Sequence, residues 1–396
     1  MKLDVFFGEK NIGALFTTSG RGIAFSYSKD AAKPISISLP DLDKEYPERQ
    51  CLPFFDGLLP EGYIRRRIAD LAHVPYTSTM KLLSHYGEDV AGALSIIPDD
   101  EPRRENPGSY VQISEEEIAR RVQDKTHTPL LYSGRKTKLS LAGAENKIPV
   151  FHQDGRFYLA TGSLPTSSII KASDEFVQNE YLCTKLASLC SLHTSEMVIH
   201  DFCGIAALLI KRYDRVVENG TLIRLHQEDF CQALGVMPEN KYEENGGPTI
   251  EMAVRLIQDY SSNPEADLRQ FLMMTVFNYL IGNCDAHGKN FSFLYDANLQ
   301  SRILAPFYDI VCSSIDARFD RSFAMRLGND KELSRISRSS FEASAPKRLI
   351  DMIMDDMIVR FPKAIEQLRR EVSRNLLSLL ERIVADSQPR QASLKR

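Results

Sequence analysis

The stretch FNYLIGNCDAHGKNFSFLYDANLQSRILAPFYDI, from Phe277 to Ile310, decides how this chain is read. An apolar run at helical spacing (Phe271, Met274, Val276, Leu280, Ile281) leads into it and stops at Gly282. A polar loop follows, in which Asp285 and Asn290 are separated by four residues. Next comes an expected hairpin, Phe291–Tyr295 with Arg302–Phe307, joined through Asp296-Ala297-Asn298, and it delivers Asp309. Phosphoryl transfer needs such a set, because charge builds on the phosphoryl oxygens and must be met by metal ions and a positioned nucleophile. A polar surface loop capping a helix is the other reading of the same residues.

The Asp-x-x-x-x-Asn spacing is that of the protein-kinase catalytic loop, where the Asp orients the acceptor hydroxyl and the Asn holds Mg²⁺. A second Asp reached across a hairpin stands where the other metal-binding carboxylate of such an enzyme belongs. Alone the spacing is a weak pattern. Joined to the hairpin and Asp309 it points to kinase-like chemistry.

Composition sets the frame. The chain has 396 residues, 43% of them hydrophobic and 26% charged, which is ordinary for a globular protein of two or three domains. Such a length buries roughly three-quarters of the unfolded surface, so the core needs no staples. A net charge of −4 gives no support for nucleic-acid binding across the whole surface. The seven cysteines form no C-x-x-C pair, which argues against a disulfide framework or a zinc site and fits a reducing cytoplasm. The first residues lack the apolar core of a signal peptide, and no run approaches the ~20 apolar residues that span a bilayer. The expectation is a cytoplasmic protein with no membrane partner.

Residues 1 to about 40 alternate as short strands do, at Leu3–Phe7, Gly22–Tyr27 and Ile35–Leu39. Phe54–Pro60 reads as a buried turn, Tyr63–Ala72 as a helix, Pro98–Ser109 as a surface excursion and Glu115–Val122 as a charged helix. From Lys138 strands predominate; from about Glu228 the pattern is nearly all helical, at Thr249–Tyr260, Ala266–Ile281, Pro346–Arg360 and Phe361–Ala385. The polar, basic residues Gln388–Arg396 are expected to fray. A strand-rich half followed by a helical half, with the loop at their junction, is the bilobal kinase plan.

Upstream residues must then supply phosphate-binding groups. In the strand-turn-strand Lys138–Val150, Ala142, Gly143 and Ala144 let backbone N–H groups approach phosphate oxygens; an ordinary hairpin reads the same way. Ser168-Ile169-Ile170-Lys171 is a strand ending in the lysine that contacts α/β-phosphates in kinases, or an edge-strand lysine facing water. Glu180, in the helix expected over Asp174–Leu192, is either its ion-pair partner or an exposed helical Glu. Ala206–Ile210 is a strand running into Lys211-Arg212-Tyr213-Asp214, the place for a hinge offering backbone hydrogen bonds to adenine. Asp229 is the N-cap of the helix that follows.

With those residues assembled, the chain resembles the HipA-family toxin kinases of bacterial toxin–antitoxin systems, nearly end to end. The resemblance rests on Lys33–Pro40, Phe54–Pro60, Gly87–Leu94, Ser140–Lys147, Asn179-Glu180-Tyr181, Arg212–Arg215, Gln227–Asp229 and Lys241-Tyr242-Glu243. Asp285-Ala-His-Gly-Lys-Asn290-Phe291 and Ala305-Pro-Phe-Tyr-Asp309-Ile310 are its most specific blocks. It implies an α+β, bilobal protein-kinase-like fold with an extra β-rich N-terminal subdomain and an all-helical C-terminal lobe. The expected boundaries are 1–125, 126–228 and 229–396.

The resemblance also implies roles. Asp285 corresponds to the catalytic Asp, Asn290 and Asp309 to Mg²⁺ ligands and Lys171 to the ATP-phosphate lysine; Lys211 and Tyr213 fall at the adenine hinge. His287 and Lys289 join Ala142, Gly143 and Ala144 among the ATP-binding candidates, and Ser140 corresponds to an autophosphorylation site that switches the kinase off. Family members phosphorylate serine in proteins, glutamyl-tRNA synthetase being the best-known target, and their partner is a small helix-turn-helix antitoxin of HipB type that binds operator DNA. Two departures are present: Glu145-Asn146 where Gln-Glu is expected, and Lys211 where an acidic residue is common. A catalytically silent corepressor and a small-molecule kinase are the competing classes.

Overall fold

The computed structural model describes the chain apart from residues 21, 101–107, 124–146, 163, 173–174, 318 and 396. Contacts divide it into two compact units: 1–173, 196–239 and 294–301 form the first, and 174–195, 240–293 and 302–396 the second.

The first unit opens on strands β1 (Lys2–Phe7), β2 (Lys10–Thr17) and β3 (Ile23–Tyr27), joined by β4 (Glu45–Pro47) and β5 (Leu94–Pro98) in an antiparallel sheet of order β4-β3-β2-β1-β5. The alternation of β1 explains its place: Leu3 and Val5 are wholly buried, while Lys2 and Asp4 pair on the other face. Helices α1 (Glu48–Asp56), α2 (Gly62–Ala72) and α3 (Thr79–Tyr86) lie between β4 and β5 in the chain. The turn expected over Phe54–Pro60 starts later, because Phe54 and Phe55 are the buried last turn of α1 and the chain bends only at Gly57.

Ile35–Leu39 is not a strand. Its polar groups are taken by groups distant in sequence: Ser36 Oγ donates to Glu228 Oε2 at 2.6 Å, Ile37 N–H donates to Glu228 Oε1 at 3.1 Å, and Ser38 Oγ donates to the Gln232 backbone carbonyl at 2.8 Å. A segment captured this way has no ladder left to offer.

A second antiparallel sheet comprises β6 (Tyr110–Ile113), β7 (Lys147–Gln153), β8 (Arg156–Ala160), β9 (Ser168–Ala172), β10 (Met197–Phe202) and β11 (Ile205–Lys211), in order β10-β11-β9-β7-β8-β6. Helix α4 (Glu115–Gln123) sets Ile118 and Val122 into its core with Ile148, Val150, Phe157, Ile170, Phe202 and Ala207. Between β9 and β10 the chain inserts α5 (Glu175–Leu189), which groups with the second unit. Strands β12 (Arg215–Glu218), β13 (Thr221–Arg224) and β14 (Gln227–Asp229) lead to the short helix α6 (Phe230–Leu234). As expected, Asp229 caps α6, in a reciprocal box with Gln232.

Buried charge binds the first unit together. Arg212 forks onto Asp214 at 3.0 and 2.8 Å, Arg215 meets the same carboxylate at 2.7 Å, and Arg215 and Arg224 reach Asp89 at 3.3 and 3.2 Å. The Gly92 N–H also donates to Asp214 Oδ2 at 3.0 Å.

In the second unit, α8 (Pro264–Ile281) is apolar nearly all round and is the central helix, packed by α5, α7 (Ile250–Tyr260), α10 (Lys347–Glu371) and α11 (Arg374–Leu394). Past α8 in the chain come β15 (Ser292–Tyr295), of which Leu294 and Tyr295 group with the first unit, β16 (Arg302–Leu304), the hairpin of β17 (Ser322–Leu327) and β18 (Asp330–Glu332), and α9 (Arg338–Ser344). The helix break expected at residues 360 and 361 is absent: α10 runs through Pro362, where Phe361 packs edge-on to Phe277 at 5.8 Å and Ala364 and Ile365 are buried. This packing offsets the ~3 kcal/mol that an interior proline costs. Nor do residues 388–394 fray. They continue α11, with Arg390 and Leu394 buried. Among the described residues no helix is long and apolar enough to cross a membrane. No disulfide is formed; six cysteines are buried and Cys203 is exposed.

Removing one partner of the buried network should expose its cost. Asp214→Ala strands Arg212 and Arg215, and should lower the unfolding free energy of the first unit by about 3–5 kcal/mol in denaturant titrations. Burial alone would raise the Asp214 carboxyl, but Arg212 and Arg215 more than offset it and hold it well below the usual range. Because the folded value lies below the unfolded one near 3.9, the stabilisation is complete above about pH 4 and declines as pH falls further. Asp214→Ala should lack that acid-dependent contribution.

Candidate active site

The loop that carries Asp285 and Asn290 begins where α8 ends. Gly282 adopts φ +72, and a Cβ there would lie 2.0 Å from Ser314 Oγ. The loop is then tied down residue by residue. Asn283 N–H donates to the Asn278 carbonyl at 2.8 Å, Cys284 N–H to Ser313 Oγ at 2.8 Å, and Asp285 N–H to Asn283 Oδ1 at 3.2 Å. The Ser314 N–H reaches back to the Gly282 carbonyl at 3.0 Å. A single 3₁₀ turn, Gly288–Asn290, closes the loop, and Asn290 Nδ2 donates to the Asp285 carbonyl at 3.0 Å. That bond commits the Asn290 amide nitrogen and leaves its oxygen as a donor for a cation.

Asp309 stands in the same unit, with backbone in the left-handed region at φ +52. Asp tolerates that region better than most side chains. Neighbours fix it from both sides. Tyr308 Oη donates to the Lys289 carbonyl at 2.7 Å, and Asn179 brackets Cys312, accepting from its N–H at 2.8 Å and donating to its carbonyl at 2.9 Å. An amide oxygen and a carboxylate are the hard donors Mg²⁺ takes when its remaining positions go to water and phosphate. Among the described residues no cluster of three or more His, Cys, Asp and Glu side chains is suited to hold a metal alone.

His287 is buried, and its pKa is pushed down to about 3, by burial first and then by Lys241 and Lys289, with Asp309 opposing. The ring is neutral at physiological pH. Lys289 is buried as well. Beside Asp285 opens a cavity of about 190 Å³, lined among others by Tyr242, Phe319, Phe323, Arg326 and Lys331. Phe319 is stacked on Phe176 at 5.7 Å, and Tyr242 Oη donates to Asp285 Oδ1 at 2.6 Å.

The structure thus brings Asp285, His287, Lys289, Asn290 and Asp309 together in the second unit. Lys171, Lys211 and Tyr213 lie in the first. Lys171 is buried on β9, opposite Lys147 and Leu208. Lys211 is exposed at the end of β11 and pairs with Glu196 at 3.2 Å. Arg212 and Asp214, the buried alternates of that segment, carry its structure, while Lys211 and Tyr213 are the more exposed alternates. Glu180 is buried on α5, not an exposed helical residue. Ser140, Ala142, Gly143 and Ala144 lie outside the described residues. Sequence reasoning did not assign Tyr242, Asn179 or Ser313 a part in the loop. Tyr242 and Asn179 stood inside blocks already singled out, which was the available signal.

Residues 139–365 match the family model of the HipA-like C-terminal domain, and residues 3–97 that of the HipA N-terminal domain. A putative kinase of Sinorhizobium fredii, Y4mE, is 35% identical over 87% of this chain and 84% of its own length. The serine/threonine-protein kinase toxin HipA of Shewanella oneidensis is 29% identical over 93% of this chain and 89% of its own. The solved complex of Shewanella oneidensis MR-1 HipA with HipB and operator DNA contains a chain that superposes with a TM-score of 0.85. The match covers 99% of this chain and 98% of that one at 26% identity. Both curated relatives are named as kinases. By its two domain matches and its relatives, the chain belongs to the HipA family.

Proposed function

We propose that this chain is a protein kinase that transfers the γ-phosphoryl group of Mg-ATP to a serine hydroxyl, and acts as the toxin of a toxin–antitoxin pair. The observation that carries the reading is one loop holding Asp285, Asn290 and Lys289 in a bonded frame, with Asp309 fixed beside it and a cavity opening at Asp285. A silent corepressor would not need that set intact. The solved complex of the Shewanella relative with HipB and operator DNA supports a HipB-like helix-turn-helix antitoxin and operator DNA as partners. The substrate class is a protein, with an aminoacyl-tRNA synthetase as the family's example.

Mg-ATP, when bound, supplies the phosphoryl group and the metal charge that neutralises its oxygens. Asp285 holds the acceptor hydroxyl and receives its proton on a carboxylate oxygen as the oxygen–phosphorus bond forms and ADP leaves. Asn290 Oδ1 and Asp309 would hold the metal. Neutral His287 would donate one ring N–H to a phosphate oxygen, and Lys289 would offset phosphate charge.

Asp285→Asn should lower phosphoryl transfer by on the order of 10²–10⁴-fold while Mg-ATP affinity changes little, since phosphate and metal are held elsewhere. Wild-type turnover in that variant would refute the role. For the metal, Asp309→Asn is the better test than alanine, because Asn also tolerates φ +52 and only the charge is lost. Calorimetry should show weaker Mg-ATP binding; unchanged affinity would remove Asp309 from the metal site. A phosphate on Ser140 adds about −1.5 to −2 charge beside the loop proposed to cover ATP. Phospho-Ser140 protein should bind ATP more weakly than unmodified protein, and Ser140→Ala should lose self-inactivation on incubation with Mg-ATP.

A further inference from the structure

Tyr242 belongs to the block Lys241-Tyr242-Glu243, to which the phosphoryl-transfer reading assigns no part. Its hydroxyl donates to Asp285 Oδ1 at 2.6 Å, and its ring stands edge-on to His287 at 5.1 Å and 85°. One side chain therefore touches both the carboxylate proposed to take the proton and the neutral imidazole proposed to meet phosphate.

The segment carrying it is firmly built. The carbonyl of Tyr242 accepts from Asn245 N–H at 3.0 Å and Gly247 N–H at 2.9 Å, closing a 3₁₀ turn over Glu243–Asn245. A Cβ on Gly247 would fall 2.4 Å from the Asn240 carbonyl oxygen and 2.6 Å from that of Tyr242, so the close approach needs glycine. Glu243 accepts from the Arg326 N–H on β17 at 2.6 Å, and Lys331 pairs with Glu244 at 3.4 Å. The Lys241 carbonyl accepts from Gly288 N–H at 3.4 Å, inside the catalytic loop.

Two roles are open to a hydroxyl bonded to a catalytic carboxylate. It can hold the carboxylate at one angle, or it can occupy the place of the acceptor hydroxyl. Tyr242 and Asp285 line the same cavity, so open space remains beside the pair for an acceptor, which favours the first role.

We infer that Tyr242 is a positioning residue: its O–H fixes one carboxylate oxygen of Asp285, and its ring walls the cavity that receives the substrate's serine. This inference rests on the phosphoryl-transfer reading. A hydrogen bond to an ionised group is worth enough that its loss should be felt at the chemical step.

The test is Tyr242→Phe, which keeps the ring and removes only the hydroxyl. Full-length wild type, Tyr242→Phe and Asp285→Asn are incubated with Mg-[γ-³²P]ATP, and initial rates of self-phosphorylation are measured across ATP concentrations. Tyr242→Phe should lower kcat by on the order of tenfold to a hundredfold with KM for ATP unchanged. Its melting temperature should stay that of wild type, which a merely structural role would not combine with a kcat loss. Wild-type kcat in Tyr242→Phe, beside an inactive Asp285→Asn, overturns the role of Tyr242 alone. A faster Tyr242→Phe overturns it in favour of a placeholder that the acceptor must displace. An Asp285→Asn protein as active as wild type, or a wild type that transfers no phosphate, brings down the phosphoryl-transfer reading and this inference with it.

Discussion

The way the chain leaves its central helix at Gly282 governs the loop that carries Asp285 and Asn290. Only a residue without a side chain fits there, since a Cβ would lie 2.0 Å from Ser314 Oγ and 2.9 Å from the Arg390 guanidinium. The left-handed turn sends Asn283, Cys284 and Asp285 back across the helix end, where each N–H finds a fixed acceptor. Behind this turn lies a compact polar knot. Arg390 donates to the Leu280 carbonyl at 3.1 Å and to Asp386 at 2.5 Å, and Asp386 accepts from Ser314 at 2.5 Å. Helix ends leave carbonyls without partners, and here a guanidinium from the last helix satisfies one.

The two units solve the problem of buried polarity differently. The first keeps full charges inside: Asp89 and Asp214 face Arg212, Arg215 and Arg224, and the surplus positive charge is met by carbonyls, with Arg224 reaching those of Val90 and Leu94 at 3.2 and 2.6 Å. Such pairs cost desolvation and hold only while every member has a partner, so they enforce one geometry more than they add stability. Around its loop the second unit adds to the Arg390–Asp386 pair mainly neutral donors and acceptors, from Asn, Ser and Tyr. Fixed dipoles in a buried setting can hold functional carboxylates without cancelling their charge.

The sequence was most legible where the responsible forces are local. The apolar period of α8, the stop at Gly282 and the Asp-x4-Asn loop all lie within a few turns of one another, and the structure places them as read. The Asp229 cap was readable for the same reason. Errors arose where a segment answers to distant groups. Ile35–Leu39 alternates like a strand, but Glu228, 192 residues beyond Ser36, takes its donors. The polar residues after Gln388 look fit to fray, yet Arg390 is drawn inward by a helix end far away in sequence. The boundary expected between Arg360 and Phe361 is absent, because burial of Phe361 and Ile365 carries α10 through Pro362. At the site, Tyr242 was visible as part of a block, but its bond to Asp285 spans 43 residues and no spacing rule reports it.

The Arg390 contact also bears on the order in which the molecule is made. Leu280 and Arg390 lie 110 residues apart, and synthesis proceeds toward the latter. The loop bearing Asp285 is therefore polymerised long before the guanidinium that satisfies the Leu280 carbonyl at the helix end before it. A nascent or truncated chain lacking Arg390 carries all of Asp285 to Asp309 without that last tie, so the loop reaches its finished frame only after residue 390 has been made.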